Sequence, residues 1–249
     1  MYIFIKILIM KVLSDALNGS KTVVFFDFEG TQFSQEIIAI GAIKVDLDNK
    51  LQVVKKYNPF KIYVISKEKV GNIVTTLTGL TDEFLHDNGV LFNEAIDEFK
   101  KYIGNVNKDI KFLSYGNFDM RLLHQSATLN NYNDDPLIRK IYSNYVDFST
   151  IFSRYVKSYK GETLSLVDAL KILKITPKEN IHDPETDAIN LMYLYKGFLN
   201  NKKILKEEYI KILKRYNHFP NPVNKTMSKL FKEGSVSYED FLKFVEEDL

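Results

Sequence analysis

Thr22-Val23-Val24-Phe25-Phe26-Asp27-Phe28-Glu29-Gly30 is a run of β-branched and aromatic residues that ends in two carboxylates and a glycine. Up to Phe26 it has the composition of a buried strand. At its end Asp27 and Glu29 stand two positions apart, so their side chains share one face of the strand while Phe28 points to the other. Two neighbouring carboxylates repel, which raises the pKa of one of them unless a cation neutralises the pair. A bound metal ion meets that need. The plainer alternative is an acidic turn after a strand, closed by Gly30.

Outward from this run the pattern alternates between strands and helices. Glu36 to Val45 reads as a second strand, and residues 51–57 and 61–65 read as a third, broken at Asn58-Pro59 because proline removes a ladder donor. From Leu91 to Ile103 apolar residues recur at 92, 95, 96, 99, 102 and 103, the three-four spacing of an amphipathic helix closed by Gly104. Ile110 to Tyr115 returns as a strand. Helices are predicted over 118–129, 148–157 and 163–174, with a strand near 141–147. This mixed order predicts an α/β sheet covered by helices.

Two further acidic islands follow. Asp119 stands just beyond the strand Phe112-Leu113-Ser114-Tyr115, after Gly116-Asn117-Phe118, where a helix begins. Strand ends in α/β sheets are where sites collect, although Asn117 or Asp119 could equally cap the helix. In His182-Asp183-Pro184-Glu185-Thr186-Asp187, Asp183 suits an N-cap and Pro184 the first helical position, so part of the acidity is helix punctuation. Asp187 lies beyond the positions capping needs. His182 sits just outside the helix, and a histidine can take a proton from water and release it at physiological pH. His86, His124 and His218 lack such surroundings and read as surface or packing residues.

On these residues the chain resembles the DEDDh family of 3′–5′ exonucleases, the group typified by the proofreading subunit of bacterial DNA polymerase III. Its three motifs occur in order: Asp27-Phe28-Glu29-Gly30-Thr31, then Asn117-Phe118-Asp119, then His182 followed by Asp187 and Ala188. Leu77-Thr78-Gly79-Leu80-Thr81 and Leu164 to Leu173 are similar to segments that family members carry before the second and third motifs. The resemblance covers about residues 21–200. It implies an RNase H-like mixed β-sheet flanked by helices, and hydrolysis of the 3′ end of single-stranded RNA or DNA with two Mg²⁺ or Mn²⁺ ions. By carry-over, Asp27, Glu29 and Asp187 would hold one ion, and Asp27 would bridge to a second supported by Asp119. His182 would be the general base. Thr31 and Asn117 would touch the terminal nucleotide, and a turn hydroxyl is the plain alternative for Thr31. Hard oxygen ligands favour Mg²⁺ or Mn²⁺ over zinc. The Asp-Phe-Glu form is similar to the branch that trims structured RNA ends, but polymer choice hinges on how the site treats the 2′-OH. A binding module without catalysis has no need for all five residues, and a nucleotide phosphohydrolase would need a closed pocket; both stay open as alternatives.

Composition bounds the rest. The 249 residues are 45% apolar, enough for a sizeable core, and 34 basic against 32 acidic side chains leave a net charge of +2, so any basic groove must be local. The absence of cysteine excludes a disulfide scaffold, a zinc-thiolate site and thiol catalysis, and agrees with a cytoplasmic location. Lys6 and Lys11 interrupt the apolar start, so residues 1–20 are expected to be an N-terminal extension whose apolar start is either a packing segment or a start-site artefact with Met10 as the true start, and no membrane partner is expected. Residues 21–200 form the expected exonuclease domain and 201–249 a helical C-terminal extension. Within it Lys202 to Arg215 reads as a helix, Asn217 to Asn224 as a linker, and 224–232 with 236–248 as a helical pair. The cations at Lys202, Lys203, Lys206, Lys211, Lys214 and Arg215 could guide nucleic acid, or could form an ordinary solvated face.

Overall fold

In a computed structural model, residues 11–105, 109–180, 182–216 and 218–248 are described. A helix α1 over 11–17 places Leu13 and Leu17 in the core; residues 1–10, on which part of the expected N-terminal extension falls, lie outside the described residues. Then come β1 (Thr22–Gly30), β2 (Ile37–Leu47), β3 (Val53–Lys56), β4 (Phe60–Tyr63), α2 (Asn72–Thr78), α3 (Asp82–Asn88), α4 (Phe92–Ile103) and β5 (Ile110–Ser114). After β5 follow α5 (Phe118–Leu129), α6 (Pro136–Asn144), β6 (Tyr145–Asp147), α7 (Phe148–Phe152), α8 (Leu166–Ile172) and α9 (Pro184–Asn200). Three more helices, α10 (Lys202–Lys214), α11 (Asn221–Glu233) and α12 (Tyr238–Glu246), complete the described chain.

The six strands form one mixed sheet in the order β3-β2-β1-β5-β6, with β4 also on β2. β1 pairs antiparallel with β2 and parallel with β5, and β5 pairs parallel with β6. Both β3 and β4 run along β2, at Val45–Leu47 and at Ala39–Ala42, so the third strand is broken where Asn58-Pro59 interrupts it. The strand near 141–147 shrinks to Tyr145–Asp147: residues 136–144 are helical because Asp135 caps the amides of Leu137 and Ile138 and Pro136 occupies the first turn. The helix predicted over 148–157 ends at Phe152. Two short helices, α2 and α3, fill the stretch left unassigned before Leu91. The C-terminal pair begins three residues earlier than predicted, at Asn221.

β1 is buried on both faces, and its alternation sorts the core. Val23 and Phe25 belong to a cluster with α8, α9 and α1, whereas Val24, Phe26 and Phe28 pack with α4, α5 and α6 on the other side. Burial of this kind contributes about 1.5–3 kcal/mol for each large side chain, which is what holds the strand between two helical layers. By the same alternation Asp27 and Glu29 continue the row of Val23 and Phe25, on the face covered by α9. Among the described residues, no helix is long and apolar enough to cross a membrane.

Candidate functional site

Asp27 is opposite Gly41 in the β1–β2 ladder, on the same face of the sheet. A Cβ built on Gly41 would lie 2.0 Å from the backbone carbon of Pro184 and 2.2 Å from the Glu185 nitrogen. Only a residue without a side chain lets the first turn of α9 rest directly on the sheet there. A lone glycine inside a strand is the sequence signal of such an approach, and Ile40-Gly41-Ala42 displayed it. The consequence is that Asp187, in that first turn, comes to the carboxylates of β1.

α9 starts as its sequence predicts: Asp183 is the N-cap, accepting from the Thr186 amide at 3.1 Å, and Pro184 opens the helix. Asp183 also pairs with Lys61 of β4, a residue that sequence reading passed over because its partner is 122 positions away. His182 adopts φ +69°, a left-handed conformation uncommon for a residue with a side chain, and its amide donates to Asp187 Oδ2 at 3.0 Å. The buried Asn190 amide, 3.5 Å from Asp187 Oδ1, and the bond its own Oδ1 accepts from Lys178 N at 2.8 Å steady the far side of that carboxylate. Ligand atoms of Glu29, His182 and Asp187 all lie within 4.8 Å of one another.

Asp119 arrives from the opposite direction. The β1–β5 ladder ends at Phe25–Leu113, and beyond it the Phe28 amide donates to Asp119 Oδ1 at 2.8 Å, so the buried carboxylate takes the place of a missing strand. Asn117, at the N-terminus of α5, makes no side-chain cap and is exposed beside Asp119. The loop carrying them is tied down by Asp147 at the end of β6, which accepts from the Gly116 amide at 3.0 Å and caps α7 through the Ser149 amide at 2.9 Å. Thr31 is buried in the turn after β1, where its hydroxyl is 2.7 Å from Ser34 Oγ and accepts from the Glu36 amide at 2.9 Å. That same turn holds Phe33 81% exposed.

Burial, first, and then repulsion from Asp187, Asp119 and Asp183 push the Glu29 carboxyl up to about 8. Burial also raises Asp27 well above the carboxylate range, with Asp119, Glu29 and Asp187 adding to it. Asp119 rises to about 6 through burial, opposed by the bonds it accepts from Phe28 and Ser114. Asp187 is raised by burial, opposed by the His182 amide and the Asn190 side chain. Four acidic side chains held together against their own charge form a donor set of hard oxygens, with one imidazole at its edge, and this is the environment a divalent cation neutralises. The residues present therefore fit such an ion.

A family model described as an exonuclease of the RNase T type matches residues 24–195. A search of curated proteins returns no significant match. Among solved structures, the nuclease domain of 3′hExo, described as a DEDDh family member bound to rAMP, superposes with a TM-score of 0.60 at 18% identity, covering 74% of this chain and 94% of that one. A zinc-bound E. coli exonuclease I complex with single-stranded DNA gives 0.59 at 17% identity over 78% of this chain and 43% of the other, so this chain spans less than half of that enzyme. Cell-death related nuclease 4 gives 0.57 at 16% identity, over 90% and 77%. At these identities the likeness is one of fold.

Proposed function

The chain belongs to the RNase T exonuclease family and carries a nuclease domain, and from that premise we propose that it removes nucleotides from the 3′ end of single-stranded nucleic acid, RNA or DNA, with divalent cations. The observation that carries this reading is the meeting of Asp27 and Glu29 from β1, Asp119 from α5, and Asp187 with His182 from the start of α9 at the carboxyl end of the central strand. Glu29, Asp187 and Asp27 would hold one cation, and Asp27 would share a second with Asp119, directly or through water. What two such ions, Mg²⁺ or Mn²⁺, supply when bound is a more acidic water and charge neutralisation at the departing 3′ oxygen.

The chain's own groups supply the remaining parts. His182, exposed at the rim of the carboxylates, takes the proton of the attacking water. Asn117 and the turn containing Thr31 border the terminal nucleotide. Phe33 offers its ring for stacking on a base, a contact every base can make and which favours unpaired strands over duplex. The neighbours described as bound to rAMP and to single-stranded DNA support a nucleic acid as substrate.

The test is incubation of the purified protein with 5′-end-labelled single strands of RNA and of DNA, with Mg²⁺ and with EDTA. The expected result is a ladder of products shortened stepwise from the 3′ end, seen only with the metal. Absence of metal-dependent shortening of either polymer sinks the reading, and a label released as a mononucleotide from the 5′ end reverses the assigned direction.

A further inference from the structure

The lysine-rich face of α10 does not form a continuous basic track. Lys211 pairs with Glu208, Lys214 lies over the Phe231 ring, and Arg215 donates to the carbonyls of Ser158 and Tyr159 at 2.8 and 3.1 Å. Two further cations lie across from it, on the segment after α7. There Arg154 and Lys157, both exposed and outside every ion pair among the described residues, face a cleft of about 420 Å³ between α7 and α10. Thr150, Ser153, Tyr209 and Tyr216 line it too, and no carboxylate is among its lining residues. That volume falls in the range of roughly 300–1,000 Å³ typical of small-ligand sites.

Aromatic surface continues beyond the cleft. Tyr216, 53% exposed, has its ring 5.1 Å from that of Phe219, which is 44% exposed, and the bonds from Arg215 bring Tyr159, 79% exposed, to the same end of α10. Unpaired cations beside exposed rings are the two components by which single strands are held without sequence preference: phosphates on the cations, bases on the rings. The cleft is also mechanically joined to the carboxylates. Asp147 accepts from the Thr150 hydroxyl at 2.8 Å and from the Gly116 amide at 3.0 Å, so one side chain fixes both the cleft wall and the loop leading to Asp119.

We propose that the α7–α10 cleft is a second binding site for the single-stranded substrate, holding phosphates with Arg154 and Lys157 and stacking bases on Tyr216 and its neighbours, some nucleotides upstream of the 3′ end being cut. This rests on the exonuclease reading of the carboxylate site. The test uses the full chain in EDTA and measures fluorescence anisotropy with a 5′-labelled strand of about 20 nucleotides, longer than the 4–16 nucleotides a typical single-strand site covers. Trinucleotide hydrolysis with Mg²⁺ is followed in parallel. Arg154→Glu with Lys157→Glu is expected to weaken long-strand binding about tenfold or more and to flatten its salt dependence. Tyr216→Ala should weaken binding without changing the salt slope, and every variant should hydrolyse the trinucleotide within about twofold of the parent. Unchanged long-strand affinity in the charge-reversed variant, equal loss toward the trinucleotide, or no strand binding by the parent chain overturns the proposal. A parent chain that binds the long strand but never shortens it removes the exonuclease reading alone, and the anisotropy comparison then decides the cleft by itself.

Discussion

Gly41 and Asp27 face each other across the β1–β2 ladder, and the pairing makes a glycine part of the acidic site. Gly41→Ala should push the first turn of α9 off the sheet, because the new methyl would meet Pro184 and Glu185 backbone and not a flexible side-chain end. The expected cost is about 1–3 kcal/mol in denaturant unfolding, as for other overpacked sites, with a larger fall in nuclease rate than the stability loss explains. A variant as stable and active as the parent would show that α9 has room to move. Asp27→Asn tests the opposite case. It removes a negative charge from a cluster in which burial and four neighbouring carboxylates already disfavour that charge, so metal-dependent cleavage should disappear while the thermal midpoint in EDTA holds or rises. A lowered midpoint in EDTA argues against the repulsive cluster. Asp27, Glu29, Asp119, Asp187 and His182 were all legible as residues from three short motifs in order. Gly41 and Lys61 were not singled out, since their importance lies in contacts with residues more than 100 positions away.

At the scale of elements, the strength of the local signal decided what could be read. α9 announces itself through Asp183-Pro184 and a long apolar run, and β1 through its β-branched and aromatic residues. α6 was hidden because Ile141, Tyr142, Tyr145 and Val146 read as strand formers, yet Asp135 and Pro136 start a helix that carries Ile138 and Ile141 into the core. α3 had a signature too, Thr81 before Asp82 and Glu83, and the Thr81 hydroxyl does accept from the Phe84 amide at 3.1 Å. The end of β1 has its own pH dependence. Because Glu29 is raised to about 8 when folded but titrates near the ordinary carboxylate value when unfolded, the folded chain binds the extra proton between those two values. The sign follows: stability without metal is fully present below the unfolded value and falls as pH rises toward about 8, with Asp27 and Asp119 shifting in the same direction. Thermal melts in EDTA from pH 5 to pH 8.5 should therefore show a declining midpoint, and Mg²⁺ should restore more of it at the alkaline end. A midpoint that climbs with pH in EDTA contradicts the crowded-carboxylate account.

For the molecule as a whole, the C-terminal helices are not equivalent. Leu205 of α10 is fully buried in the cluster beneath α9, whereas among the described residues α11 buries only Pro222 and α12 none. Ending the chain after Tyr216 should leave the thermal midpoint nearly unchanged, while ending it after Asn201 should cost about 2–5 kcal/mol, the scale of deleting a large core side chain. Equal midpoints for the two truncations would show that α10 only rests on the core. The strands β1 to β5, the helices α4, α5 and α8, the acidic islands and the capped entry to α9 followed from sequence alone, because each depends on neighbours within a turn of helix or an alternation of strand. The tertiary structure decided which carboxylates share a face, that Gly41 admits α9 to the sheet, that Asp119 replaces a missing strand at Phe28, and that Lys211 and Lys214 of α10 meet local partners while Arg154 and Lys157 line a cleft. Those outcomes depend on packing between segments far apart in the chain, and repulsion among acids gathered from three such segments exists only once the core has closed around them.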